Sequence, residues 1–153
     1  MNSQQKAVLT TYHNYTRTFQ KAYEEFVGAI MINSHSKPDT ATSLEFYNEP
    51  CMFVNSNGVD LYESHEQLAV YFRQVMRNMK ANDNLRSDLG KPRLTFLGES
   101  CALLSVKVVR VNKLGKQYEE SGATYTMCFD QGVWKIVVVT VHPCENVFGE
   151  SVE

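Results

Sequence analysis

A chain of 153 residues, 43% of them hydrophobic, is long enough to bury one core and form one domain. Its formal net charge is −2 with both signs mixed along the chain, so it has no basic field to hold a phosphate backbone, and nucleic acid is not an expected partner. The longest apolar runs, residues 26–32 and 136–141, fall well short of the roughly 20 residues that span a bilayer, which also removes a membrane from the expected partners.

Residues 1–15 are polar and helical in pattern, without the basic start, apolar middle and small-residue cleavage site of a secretory signal, so a cytoplasmic location is expected. Val8, Tyr12, Tyr15, Phe19, Tyr23, Phe26 and Ile30 recur in steps of three and four, drawing one apolar stripe down a long helix. Turn formers before Pro38 end that helix by about Ile32. Asp39 or Thr40 can cap a second, shorter helix reaching Tyr47, and Pro50 stops it. Residues 51–55 and 59–62 then flank Asn57-Gly58, a dipeptide suited to the positive φ angles of a tight hairpin. Ser64 with Gln67 resembles a capping box, opening a third helix whose stripe runs through Leu68, Phe72, Val75, Met76 and Met79 to about Lys80.

Residues 81–92 are polar and broken by Gly90 and Pro92, which reads as a connection long enough to act as a lid. Residues 93–97, 101–111, 118–129 and 133–142 are β-rich and joined by short turns, an antiparallel meander. Helices first and a sheet after them define an α+β domain over residues 1–153. In the last strand Trp134, Ile136, Val138, Thr140 and His142 alternate onto one face and Lys135, Val137, Val139 and Val141 onto the other. One face packs on the helices, and the valine stripe of the other needs a partner.

The order of these elements, with the phrases DTATSLEFYNEPCMFVNSNG, SHEQLAVYF and GVWKIVVVTVH, resembles the nuclear transport factor 2-like superfamily over nearly the whole chain. That superfamily includes SnoaL-like cyclases, ketosteroid isomerase and scytalone dehydratase. The resemblance implies a cone: a curved antiparallel sheet wrapped around N-terminal helices and enclosing an apolar cavity. It also implies a homodimer through the outer sheet face; the alternative is that the N-terminal helical residues cover that face within one chain.

Ketosteroid isomerase carries an aspartate base at the end of the strand corresponding to residues 51–55, where this chain has Asn55. An amide cannot take that proton, so the same route is closed. Asn55 can instead hydrogen-bond a ligand or satisfy its own hairpin. The resemblance implies Tyr23 and Tyr125 as the nearest matches to the groups that hold the oxyanion, Tyr125 replacing an acid. His142 ends a strand, carries a side chain able to act as an acid or a base, and turns toward the helices if no bulge intervenes, which makes it the third catalytic candidate. Phe26, Ile30, Phe53, Phe72, Met76 and Met127 are expected to line the pocket with Asn55.

Arg110 has no inward acid to pair with and reads as a solvated charge, as do Glu119 and Glu120. Cys51, Cys101, Cys128 and Cys144 lie in or beside apolar runs and read as buried free thiols. The four histidines are scattered and no phosphate cradle, CxxC pair or HExxH helix occurs, so neither metal nor cofactor is expected. The resulting expectation is a SnoaL-like protein binding a small, apolar, oxygenated molecule, of isomerase, cyclase or dehydratase type but without the aspartate base. The alternative is a non-catalytic ligand-binding or dimerisation module.

Overall fold

The computed structural model describes residues 1–31 and 41–152, the side chains at 29–31 and 41 excepted. The first helix, α1 (Ser3–Met31), starts at a reciprocal cap: Gln5 N donates to Asn2 Oδ1 at 2.8 Å and Asn2 N to Gln5 Oε1 at 2.9 Å. Its apolar stripe serves two cores. Val8, Leu9, Tyr12 and Tyr15 pack into the main core, whereas Ala22, Tyr23 and Phe26 join Met76 and Met79 in a second cluster.

The expected second helix shrinks to α2 (Ala41–Leu44), and Asp39 and Thr40 lie outside the described residues. The strand β1 (Tyr47–Asn55) begins where that helix was expected to end, so Pro50 sits inside a strand rather than stopping a helix. It falls in an irregular stretch where pairing skips from Tyr47 to Met52, and a proline costs little where no ladder bond is needed. The Glu49–Pro50 peptide is cis. The hairpin to β2 (Gly58–Tyr62) forms as expected, with Gly58 at φ 136.

Ser64 caps α3 (His65–Ala81), its hydroxyl accepting from Gln67 N at 3.3 Å, and Leu68, Phe72, Met76 and Met79 form the buried face. Residues 81–92 contain the main departure from expectation. Instead of a mobile connection they carry β3 (Asn84–Leu89), antiparallel to the far end of β5. NLRSDL has little strand preference of its own; the long edge of β5 supplies the ladder that overrides it.

The remaining strands are β4 (Arg93–Phe96), β5 (Cys101–Asn112), β6 (Gln117–Asp130), β7 (Val133–His142) and a short β8 (Glu150–Ser151) on β4. Together they form an eight-stranded sheet in the order β2-β1-β7-β6-β5-β4-β8, with β3 beside β5. The meander β5-β6-β7 is antiparallel as expected, but β1 joins β7 in parallel, so the sheet is mixed.

One extra residue decides which side chains face the helices. Thr126 pairs with Val138 and Met127 with Ile136, leaving Val137 unpaired in a bulge of β7. Beyond the bulge the alternation is reversed. Ile136 (1% exposed) and Val139 (4%) therefore share the inner, helix-facing side, and Val138, Thr140 and His142 turn outward. The outer valine stripe of residues 137, 139 and 141 does not form, because Val139 and Val141 belong to the inner wall.

Candidate functional site

Between the two cores served by α1 lies a cavity of about 1030 Å³. Tyr15, Thr16, Phe19 and Gln20 of α1 form its roof, with Tyr71, Phe72 and Val75 of α3 beside them. Val108 and Arg110 of β5, the alternate residues Glu119, Ser121, Ala123 and Tyr125 of β6 with Tyr118 beside them, and Val139 and Val141 of β7 make the floor. Leu85 to Leu89 of β3 line one side, so the stretch read as a connection with room to move is a wall built into the sheet.

The deepest polar groups are phenols. Tyr47 Oη donates to Tyr15 Oη at 2.8 Å with the rings edge to face at 5.2 Å, a buried pair joining β1 to α1. Tyr125 stands edge-on to both Tyr12 and Tyr15. Burial pushes the Tyr125 phenol up to about 12, and it holds Tyr15 and Tyr47 well above the usual phenol range. At neutral pH these groups are proton donors to a ligand oxygen, not bases.

Arg110 is the charge that sequence reasoning misplaced. Its Nη1 donates to Glu119 Oε2 at 3.2 Å directly across the strand pair, and the arginine is the deeper partner, 23% exposed against 45%. Its Nε is buried with no acceptor among the described residues. Leaving a buried charged donor unmatched costs about 1–3 kcal/mol or more. The guanidinium lowers the proton affinity of Tyr15, Tyr71, Tyr118 and Tyr125, opposing in each the larger upward push of burial. Periodicity alone would have placed Arg110 on the face of Val108, but whether that face was wet depended on β3 covering it.

Of the residues expected at the site, Tyr125, Phe53 and Phe72 line the cavity. Tyr23 is buried in the second cluster and borders a separate hollow of about 240 Å³ with Asp83 and Lys113. Phe26 and Met76 are core in that same cluster, and Met127 is core in the main one. The Ile30 side chain lies outside the described residues. Asn55 is exposed at the hairpin, its Oδ1 accepting from Asn57 N at 2.8 Å, so it serves the turn rather than the cavity wall.

His142 is on the outer face because of the bulge. Its Nδ1 contacts Pro143 O at 2.8 Å, and a carbonyl only accepts, so Nδ1 carries the proton and Nε2 accepts from Thr124 Oγ1 at 2.7 Å. Thr124 in turn accepts from Ser105 Oγ at 2.9 Å, and Phe148 N donates to Ser105 Oγ at 3.3 Å. This chain ties the residues after β7 across the outer face. Gly122 makes room for it, since a Cβ there would sit 2.5 Å from His142 Cε1.

Helices packed on one face of an open mixed sheet, with an aromatic cavity between them, define an α+β protein of the cone type. Residues 7–144 match the family described as NTF2-like protein (DUF6841), and the chain belongs to that family. No curated protein matches it. Among solved structures it is similar to a domain of unknown function with a cystatin-like fold from Nostoc punctiforme, at 11% identity and TM-score 0.66, covering 93% of this chain and 78% of the other. An NTF2-like protein with a cystatin-like fold from Novosphingobium aromaticivorans gives 14% identity and TM-score 0.63, over 94% and 83% of the two chains. A ketosteroid isomerase-like protein from Erwinia carotovora atroseptica gives 10% identity and TM-score 0.61, over 92% and 96%. These likenesses establish the fold. Among the described residues no helix is long and apolar enough to cross a membrane.

Proposed function

We propose that the protein binds a small, largely apolar molecule carrying a carbonyl or similar oxygen in the cavity between α1, α3 and the sheet. The observation that carries this reading is a cavity of about 1030 Å³ walled by Phe19, Phe53 and Phe72 and supplied with protonated phenols at Tyr15, Tyr71 and Tyr125. An apolar wall with a few convergent donors is what an oriented small ligand requires. Phenols held protonated favour polarisation of a ligand oxygen, the electrophilic half of an isomerase, cyclase or dehydratase reaction. Of the catalytic candidates only Tyr125 keeps such a role here, because Tyr23 and His142 do not border this cavity.

An apolar aromatic ketone such as tetralone tests the proposal. On binding, its carbonyl stretching frequency should fall, and Tyr125→Phe should return most of that shift. Absence of binding, or a shift indifferent to Tyr125, contradicts it. Deuterium exchange beside the bound carbonyl would favour an enzyme; binding without exchange favours the non-catalytic module.

A homodimer through the outer sheet face is part of the same proposal, on different residues from the valine stripe. Register places Leu61, Met52, Val138, Thr126 and Leu103 in one row across five strands on that face, and Leu61 and Val59 are 53% and 61% exposed. Light scattering should return twice the chain mass, and Leu61→Lys should halve it; a monomeric wild type rejects this part alone.

A further inference from the structure

The guanidinium of Arg110 carries two kinds of donor. Nη1 is held by Glu119, whereas Nε and Nη2 together form the side edge that receives a planar carboxylate in two parallel bonds, and Glu119 does not use that edge. Nε is buried without an acceptor among the described residues, on a side chain that lines the cavity. Tyr71 and Tyr125 also line the cavity, and neither hydroxyl makes a hydrogen bond to a described residue.

Charge depth sets the sign of the ligand. The rim pair Arg86–Asp88, 2.9 Å apart, is 54% and 53% exposed and screened by solvent, and Glu119 is 45% exposed. Arg17 and Glu24 also border the cavity but are exposed, which leaves Arg110 as the least exposed of its charged lining residues. Arg110 carries one positive charge that the solvent-exposed Glu119 already offsets in part, so a bound monoanion leaves less uncompensated negative charge than a phosphate dianion. The phenyl rings of Phe19, Phe53 and Phe72 surround the remaining space and suit an apolar body.

We propose that the cavity selects a small monocarboxylic acid with an aromatic or cyclic apolar body, its carboxylate held by the Nε and Nη2 edge of Arg110 and by the hydroxyls of Tyr71 and Tyr125. This deepens the small-molecule reading above and rests on it. The acid head group is the oxygen function that the phenols receive, and Arg110 decides its charge.

Calorimetric titration of the full chain with benzoate, cyclohexanecarboxylate and hydrocinnamate, each beside its neutral amide and beside inorganic phosphate, tests it. At least one acid should bind about tenfold more tightly than its amide. Arg110→Gln should erase that preference by weakening the acid alone. Glu119→Gln, which removes the competing negative charge, should tighten the acid several-fold and leave the amide unchanged, and it decides the matter if Arg110→Gln does not fold. Amides binding as well as acids, or acid affinity indifferent to both substitutions, overturns the carboxylate proposal and leaves the small-molecule reading standing. Phosphate binding as tightly as every acid also overturns it. Failure of both acids and amides to bind at millimolar concentration, with tetralone failing too, overturns both.

Discussion

The two faces of β5, β6 and β7 are made by alternate residues of the same strands, yet they end in opposite states of hydrogen bonding. On the outer face Ser105, Thr124 and His142 form a closed chain from Phe148 N to Pro143 O, each hydroxyl and ring nitrogen accounted for. On the inner face Arg110 Nε has no acceptor among the described residues, and Tyr71 and Tyr125 line the cavity without a hydrogen bond to a described residue. Saturated polar groups hold a fold together; unsaturated ones beside a cavity are ready for something else. A histidine at a strand end looks catalytic in sequence, but here it is the saturated member, and the arginine that looked solvated is the unsaturated one.

The largest expected effect contrasts neighbours on opposite faces. Leu104 is fully buried on the inner side, so Leu104→Ala should cost about 2–5 kcal/mol in urea unfolding, whereas Leu103→Ala, on the outer row, should cost less than about half of that when the chain is diluted to the monomer. Equal losses would mean that the outer face is as closed as the inner. Next comes Thr124→Val, which strands the Ser105 hydroxyl and His142 Nε2 and should destabilise by about 1–3 kcal/mol without altering ligand affinity. A change in affinity there would break the division of labour between the faces.

Alkaline unfolding sharpens the inner side of the comparison. Burial raises the Tyr125 phenol to about 12, so the folded protein keeps that proton over a range where the unfolded chain, with phenols near 10, has released it. The stability it contributes is intact below about pH 10 and is lost as pH climbs toward about 12. Tyr125→Phe should flatten the fall over that window, and an unchanged curve would place this phenol in water. The smallest effect is expected for His142→Ala: a loss of about 1 kcal/mol, from freeing the segment after β7, with tetralone binding unchanged.

Much of the scaffold was legible in the sequence. The stripe of α1, the Ser64 cap, the Asn57-Gly58 hairpin and the β5-β6-β7 meander are local patterns, and each formed where local chemistry placed it. The errors share one cause, dependence on a distant strand. Residues 84–89 become β3 only because β5 extends far enough to pair with them, and covering that edge turns Arg110 from a surface charge into a cavity wall. Likewise the bulge at Val137 is fixed by register against both β1 and β6, and no repeat in IVVVTV announces it. Tyr15 and Tyr47, 32 positions apart, were readable as core but not as a hydrogen-bonded pair.

The central claim, that the inner face holds the ligand site, is tested most directly by mapping bound tetralone and hydrocinnamate onto the backbone by heteronuclear NMR. Shifts should gather at Phe53, Tyr71, Phe72, Arg110 and Tyr125, with His142, Thr124 and Asn55 undisturbed. Shifts centred on the outer face or the hairpin, or none at saturating probe, would contradict the account.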